Sequence, residues 1–162
     1  MVGDGSTAAN ETLEELVGAD PRIRLLRGPR GGPARARNLG LRQARGELVA
    51  FLDSDDYWYP SHLASAVSTL ARYKEAVATY SALALVLGTN KEPFFVDRQS
   101  GPSNRRTALS GGNRPFTTSM VARRQVVEAV GGFDPGFGGA EDKDLVYKLL
   151  DRRTPQPSVQ SR

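Results

Sequence analysis

Residues Leu48-Val49-Ala50-Phe51-Leu52 form an apolar run that ends abruptly in Asp53-Ser54-Asp55-Asp56. A run of this length with no polar interruption predicts a strand buried on both faces, as in a parallel sheet covered by helices. Strands of that kind deliver their last residues to the carboxyl edge of the sheet, where open α/β folds bind ligands. Clustered acids repel one another there unless a cation shares them. Mg²⁺ and Mn²⁺ prefer oxygen donors, and Mg²⁺ is often held by one or two carboxylates together with substrate phosphates. The segment therefore predicts a metal–diphosphate site. Asp55 is the first candidate ligand, Asp53 holds a ribose hydroxyl or a second metal position, and Asp56 stands behind them. A plain solvated turn capping the next helix is the structural alternative.

The rest of the chain alternates in the same sense. Val2 to Thr7 reads as a strand end and turn, residues 10–18 as a helix, and Ile23 to Leu26 as a short strand. A helix is expected from Pro33 to about Arg45, with proline near its first position and Gly46 past its end. Pro60 and Ser61 open another to about Lys74, with Leu63, Val67 and Leu70 inward. Strands are expected at 76–87, 94–96 and 116–121, a short helix at 124–130, and a last helix from Glu141 to about Arg152. Strand and helix in alternation predict an α/β fold with a parallel sheet covered by helices. One domain over 1–152 is expected, with a disordered tail at 153–162 that holds two prolines and no apolar cluster.

Two further segments carry chemistry. Glu141 and Asp142 open the last helix after a glycine-rich loop. The helix dipole alone accounts for acids there, and a carboxylate that reaches a substrate hydroxyl also serves as a general base. Gly31-Gly32-Pro33-Ala34-Arg35-Ala36-Arg37-Asn38 enters a helix and suits an anion, but lacks the lysine of an NTPase phosphate loop. His62 is the only histidine and is expected on the surface. Tyr57, Trp58 and Tyr59 are expected to pack the sheet edge rather than stack a base.

The chain has no cysteine, so disulfides and thiolate metal sites are excluded. No apolar run reaches the roughly 18 residues of a transmembrane helix, and the first residues do not read as a signal peptide. Cytoplasm, or the cytoplasmic face of a membrane, is the expected location. Of 22 basic residues 18 are Arg, and the net charge of +4 suits nucleotides, anionic lipids or RNA alike.

In order and spacing these motifs resemble the family 2 nucleotide-sugar glycosyltransferases of GT-A fold, which implies a mixed, mainly parallel sheet flanked by helices and lacking the family's usual first strand. Asp4-Gly5-Ser6-Thr7 is similar to the family's Asp-Asp-Gly-Ser turn, and Gly32 to Gly40 to its Gly-x-x-x-Ala-Arg-Asn-x-Gly segment. Phe51 to Asp56 is similar to its Asp-x-Asp strand. Gly131-Gly132-Phe133-Asp134 with Glu141-Asp142-Lys143-Asp144-Leu145 is similar to its Gly-Gly-Phe loop and Glu-Asp motif. The resemblance implies that Asp4 contacts the base, that Arg37 and Asn38 lie at the nucleotide pocket, and that Asp53 and Asp55 hold ribose, diphosphate and Mg²⁺ or Mn²⁺. Asp142, with Glu141 beside it, is the implied base of an inverting transfer. The implied partners are a nucleotide-diphospho-sugar donor and a saccharide or lipid-linked acceptor. No nucleic acid is implied, and a peripheral membrane contact stays open.

The family's usual first strand and its later acceptor segments have no counterpart here. The expectation is a fragment truncated at both ends that by itself is poorly soluble or inactive. Two other readings compete: a non-catalytic, degenerate glycosyltransferase module, and a haloacid-dehalogenase-like phosphatase with Asp53 as nucleophile and Asp55 as acid.

Overall fold

The computed structural model describes residues 2–3, 17–86, 93–97 and 116–151. The Asp4 turn, most of the helix expected at 10–18, the loop at 98–114 and the tail at 153–162 lie outside the described residues.

Strand β1 (Val2–Gly3) pairs in parallel with β2 (Leu26–Arg27). Helix α1 (Gly32–Gln43) follows, with Pro33 in its first turn and Leu41 and Ala34 buried. Proline fits there because its missing N–H would have no intrahelical partner anyway. Gly32 takes φ +77, a left-handed conformation open to glycine at little cost. Then come β3 (Leu48–Ala50), α2 (His62–Arg72), β4 (Ala78–Tyr80) and a hairpin of β5 (Leu83–Val86) with β6 (Pro93–Asp97). A single 3₁₀ turn (Thr117–Ser119) leads into β7 (Met120–Arg123), α3 (Arg124–Ala129) and α4 (Glu141–Asp151).

The central sheet corrects the expectation of a mainly parallel one. Its strand order is β3-β7-β4, and β7 is antiparallel to both neighbours. β3 and β4 do run in the same direction, as the alternation predicts. They are not bonded to each other, because β7 arrives from some forty residues later in the chain and inserts between them. Among the described residues only β1 with β2 is a parallel ladder.

β7 also shows why helices cover both faces. Successive strand residues point to opposite sides. Met120 and Ala122 enter a core with Ala34 and Leu41 of α1, Val127 of α3, and Leu145 and Leu149 of α4. Val121 enters a second core with Ala66 and Leu70 of α2. Register agrees, since Val49 and Ala78 flank Ala122 on the first face and Ala50 flanks Val121 on the other.

α2 is rotated from its expected setting. Its buried residues are His62, Ala66 and Leu70, while Leu63 and Val67 are exposed. The surface position expected for His62 is therefore corrected. Its ring stacks on Trp58 with centroids 4.8 Å apart, and the Trp58 indole N–H donates to the Thr118 carbonyl at 2.6 Å. Burial pushes the His62 pKa below its ordinary 6.5. Tyr57 and Tyr59 project into solvent; of the three aromatics only Trp58 packs the sheet edge.

Candidate active site

β3 ends at Ala50, Phe51 is buried, and the chain then turns. The Asp56 N–H donates to the Asp53 carbonyl at 3.1 Å, which puts Asp55 at the exposed tip of a four-residue turn. Asp53, at the turn's first position, meets α1. Arg37 Nη2 donates to both Asp53 carboxylate oxygens, at 2.7 and 2.8 Å, and Nη1 donates to Glu141 Oε1 at 3.1 Å. One guanidinium thus joins two acids that lie 88 residues apart in sequence.

Arginine suits this post because its planar fork presents several donors in a fixed geometry. The side chains of Arg37 and Glu141 are only 14% and 10% exposed, whereas Asp53 is 38% exposed. Two carboxylates against one cation leave the edge anionic. The Arg37 Nε–H is buried without a partner, an unmet donor at the centre of the site.

Phe133 is the pivot around which these groups are set. It is 1% exposed and meets Phe51 edge-to-face at 4.9 Å, and the Arg37 guanidinium lies 5.4 Å from its ring centroid. Asn38 holds its backbone from both sides. The Asn38 Nδ2–H donates to the Phe133 carbonyl at 2.7 Å, and the Phe133 N–H donates to Asn38 Oδ1 at 3.0 Å. That close approach requires the preceding glycine: Gly132 has φ +65, and a Cβ there would sit 2.5 Å from Asn38 Oδ1. Lys148 pairs with Asp144 one turn earlier on α4 at 2.5 Å, and its ammonium lies 3.4 Å from the Gly132 carbonyl.

Each residue singled out in the sequence can now be placed. Arg37, Asp53 and Glu141 form one bonded group. Asn38 is beside it, with its amide engaged by the Phe133 backbone. Asp142 follows Glu141 and is partly exposed; its Oδ1 accepts the Lys143 N–H at 2.7 Å. Asp55 is exposed, and no hydrogen bond or ion pair engages it among the described residues. Asp4 lies outside them. Phe133 was visible in its motif but not as a site residue; the paired glycines before it were the available signal.

The donor set constrains what a cation would use. Among the described residues no three His, Cys, Asp or Glu side chains gather into a metal cage. Arg37 donates to both Asp53 oxygens, each of which keeps a second lone pair, and the Asp55 carboxylate is the more open donor. A hard divalent ion sharing one carboxylate with a diphosphate fits this set; a cation held by protein groups alone does not.

Residues 1–130 match the family model of glycosyl transferase family 2, and the chain belongs to that family. A pre-mycofactocin glycosyltransferase of Mycobacterium tuberculosis is 31% identical over 169 residues, covering 93% of this chain and 33% of that protein. The O-antigen biosynthesis protein RfbC of Myxococcus xanthus is 34% identical over 156 residues, covering 93% of this chain and 12% of that protein. Among solved structures, the mannosyltransferase PcManGT of Pyrobaculum calidifontis, in complex with GDP-Man and Mn²⁺, superposes with a TM-score of 0.63 at 22% identity. The match covers 91% of this chain and 41% of that one, and it bears out the GT-A-like fold. The chain thus spans about a third of the mycobacterial relative. Among the described residues no helix is long and apolar enough to cross a membrane.

Proposed function

We propose that this chain carries the donor half of an inverting, metal-dependent glycosyltransferase. One observation supports this reading above the others: Arg37 ties Asp53 of the strand-tip turn to Glu141 of the last helix. The two acid motifs therefore share one edge of the fold, as a donor site and a general base must.

In this reading Asp53 and Arg37 face the nucleoside, and Asp4 contacts the base. Asn38 acts by holding Phe133 in place. Asp55 shares Mg²⁺ or Mn²⁺ with the donor diphosphate. When bound, the cation supplies Lewis-acid stabilisation of the departing nucleoside diphosphate. Asp142 accepts the proton of the acceptor hydroxyl, whose oxygen bonds to the anomeric carbon as the bond to the diphosphate breaks on the opposite face. Configuration inverts through an oxocarbenium-like transition state. Glu141, buried against Arg37, positions its neighbour and does not itself take the proton.

The acceptor is a saccharide or lipid-linked saccharide, and the setting is envelope polysaccharide assembly on the cytoplasmic side. Support for this comes from the O-antigen relative. For the donor class and the cation, it comes from the GDP-Man and Mn²⁺ bound by the archaeal neighbour.

The test separates binding from transfer. Asp142→Asn should leave donor affinity within about twofold and cut transfer by roughly 10²–10⁴, the range for a lost general base. Unimpaired transfer by that variant would remove Asp142 from the chemistry.

A further inference from the structure

The residues from Pro21 to Gly46 include eight arginines and no acid, in a chain whose net charge is only +4. Arg37 serves the acidic edge. Arg35 lies two residues away, hence near the opposite side of α1, and Arg42 shares its stripe seven residues on. Both are exposed, and among the described residues no hydrogen bond or ion pair engages either. Between them is a hollow of about 330 Å³ lined by Arg27, Arg35 and Arg42, with Leu39, Pro29 and Pro135 supplying apolar wall.

The wall is fixed by contacts already described. Asn38 clamps Phe133, two residues before Pro135, and Asp134 Oδ1 accepts the Gly136 N–H at 2.8 Å to close the turn. Two residues beyond Pro135, Phe137 is 49% exposed. An arginine-rimmed hollow with an apolar wall, and a half-exposed aromatic ring two residues along the loop that supplies Pro135, suit an anionic lipid surface. Anionic headgroups meet the guanidinium groups, and the ring enters the acyl boundary. Single-stranded RNA would call for an extended basic groove with repeated stacking rings, and one ring beside one hollow does not make that.

We infer that the hollow on the outer face of α1 seats the phosphate headgroup of an anionic phospholipid and holds the protein against a membrane. Asn38 also lines the hollow, with its amide engaged by the Phe133 backbone; the headgroup seat stands whether or not Asp55 binds a cation.

The full chain is floated with vesicles of phosphatidylglycerol in phosphatidylcholine and with vesicles of phosphatidylcholine alone. The chain should partition onto the first and not the second, and should come off as salt shortens the Debye length from about 10 Å towards 3 Å. The pair Arg35→Gln with Arg42→Gln should weaken partition about thirtyfold, at a loss near 1 kcal/mol per arginine. Arg45→Gln with Arg72→Gln changes net charge equally but lies outside the hollow, and should retain most of the binding. Equal losses in the two pairs would overturn the hollow in favour of diffuse charge. So would partition onto phosphatidylcholine alone, or displacement of the wild-type chain by single-stranded RNA. These wild-type arms decide the matter even if a variant fails to melt cooperatively.

Discussion

Asn38 shows how one side chain couples two motifs. Its amide is matched donor-to-acceptor and acceptor-to-donor with the Phe133 backbone. Asn38→Ala removes both bonds and leaves two partly buried backbone groups without partners. The expected loss is about 1–3 kcal/mol in urea unfolding. Gly132→Ala should cost a further 1–2 kcal/mol, roughly, from left-handed backbone alone, plus the collision with Asn38 Oδ1. In the double variant that collision is gone, so the two losses should add to less than their sum. Strict additivity would show that the pair does not touch in solution. The sequence made Arg37, Asn38, Asp53 and Glu141 recognisable as candidates. It did not show which of them meet ligand and which meet protein. The Asn38 partner is 95 residues away and the Arg37–Glu141 pair spans 104, and no local spacing encodes contacts that distant.

At the level of the element, α2 illustrates a narrow margin. Leu63, Val67 and Leu70 recur at helical spacing, and so do His62, Ala66 and Leu70. The two stripes share Leu70 and differ by about a quarter turn. The second wins because the face against Val121 takes a small Ala66, while Trp58 supplies a flat surface for the His62 ring. Hydrophobicity alone favours the first stripe, which is why periodicity misplaces it. The helix limits, set by Pro33, Pro60 and the Gly131-Gly132 pair, were legible within a few residues because backbone chemistry is local.

The buried histidine has a thermodynamic consequence. His62 has a lowered pKa when folded and 6.5 when exposed. Between those values the unfolded chain binds more protons, so stability rises with pH across that window and falls as pH drops below 6.5. Thermal melts at pH 7.5 and 5.5 should show this loss in the wild-type chain and less of it in His62→Gln. Trp58, the sole tryptophan, reports the same event by fluorescence. An identical pH response in His62→Gln would assign the effect to the carboxylates instead.

On the scale of the whole molecule, α/β alternation was legible and sheet topology was not. The apolar runs mark strands, but nothing in residues 120–123 says that they insert between β3 and β4. Strand order is decided by which faces the helices need to cover, a property of the assembled layers. The same layering brings α1, the β3 turn and α4 to one edge around Phe133, where Arg37, Asp53 and Glu141 meet. The chain spans about a third of its mycobacterial relative, yet most of the proposed donor contacts fall within the residues described above.

Donor binding is therefore the most direct test. Isothermal titration of GDP, UDP and dTDP, each with Mn²⁺ and with chelator, is compared between the wild-type chain and Asp55→Ala. At least one nucleotide should bind the wild-type chain tenfold or more tighter with Mn²⁺, a difference of about 1.4 kcal/mol, and Asp55→Ala should erase that gain. Equal affinity with and without the Asp55 carboxylate would contradict a cation shared between this turn and the diphosphate.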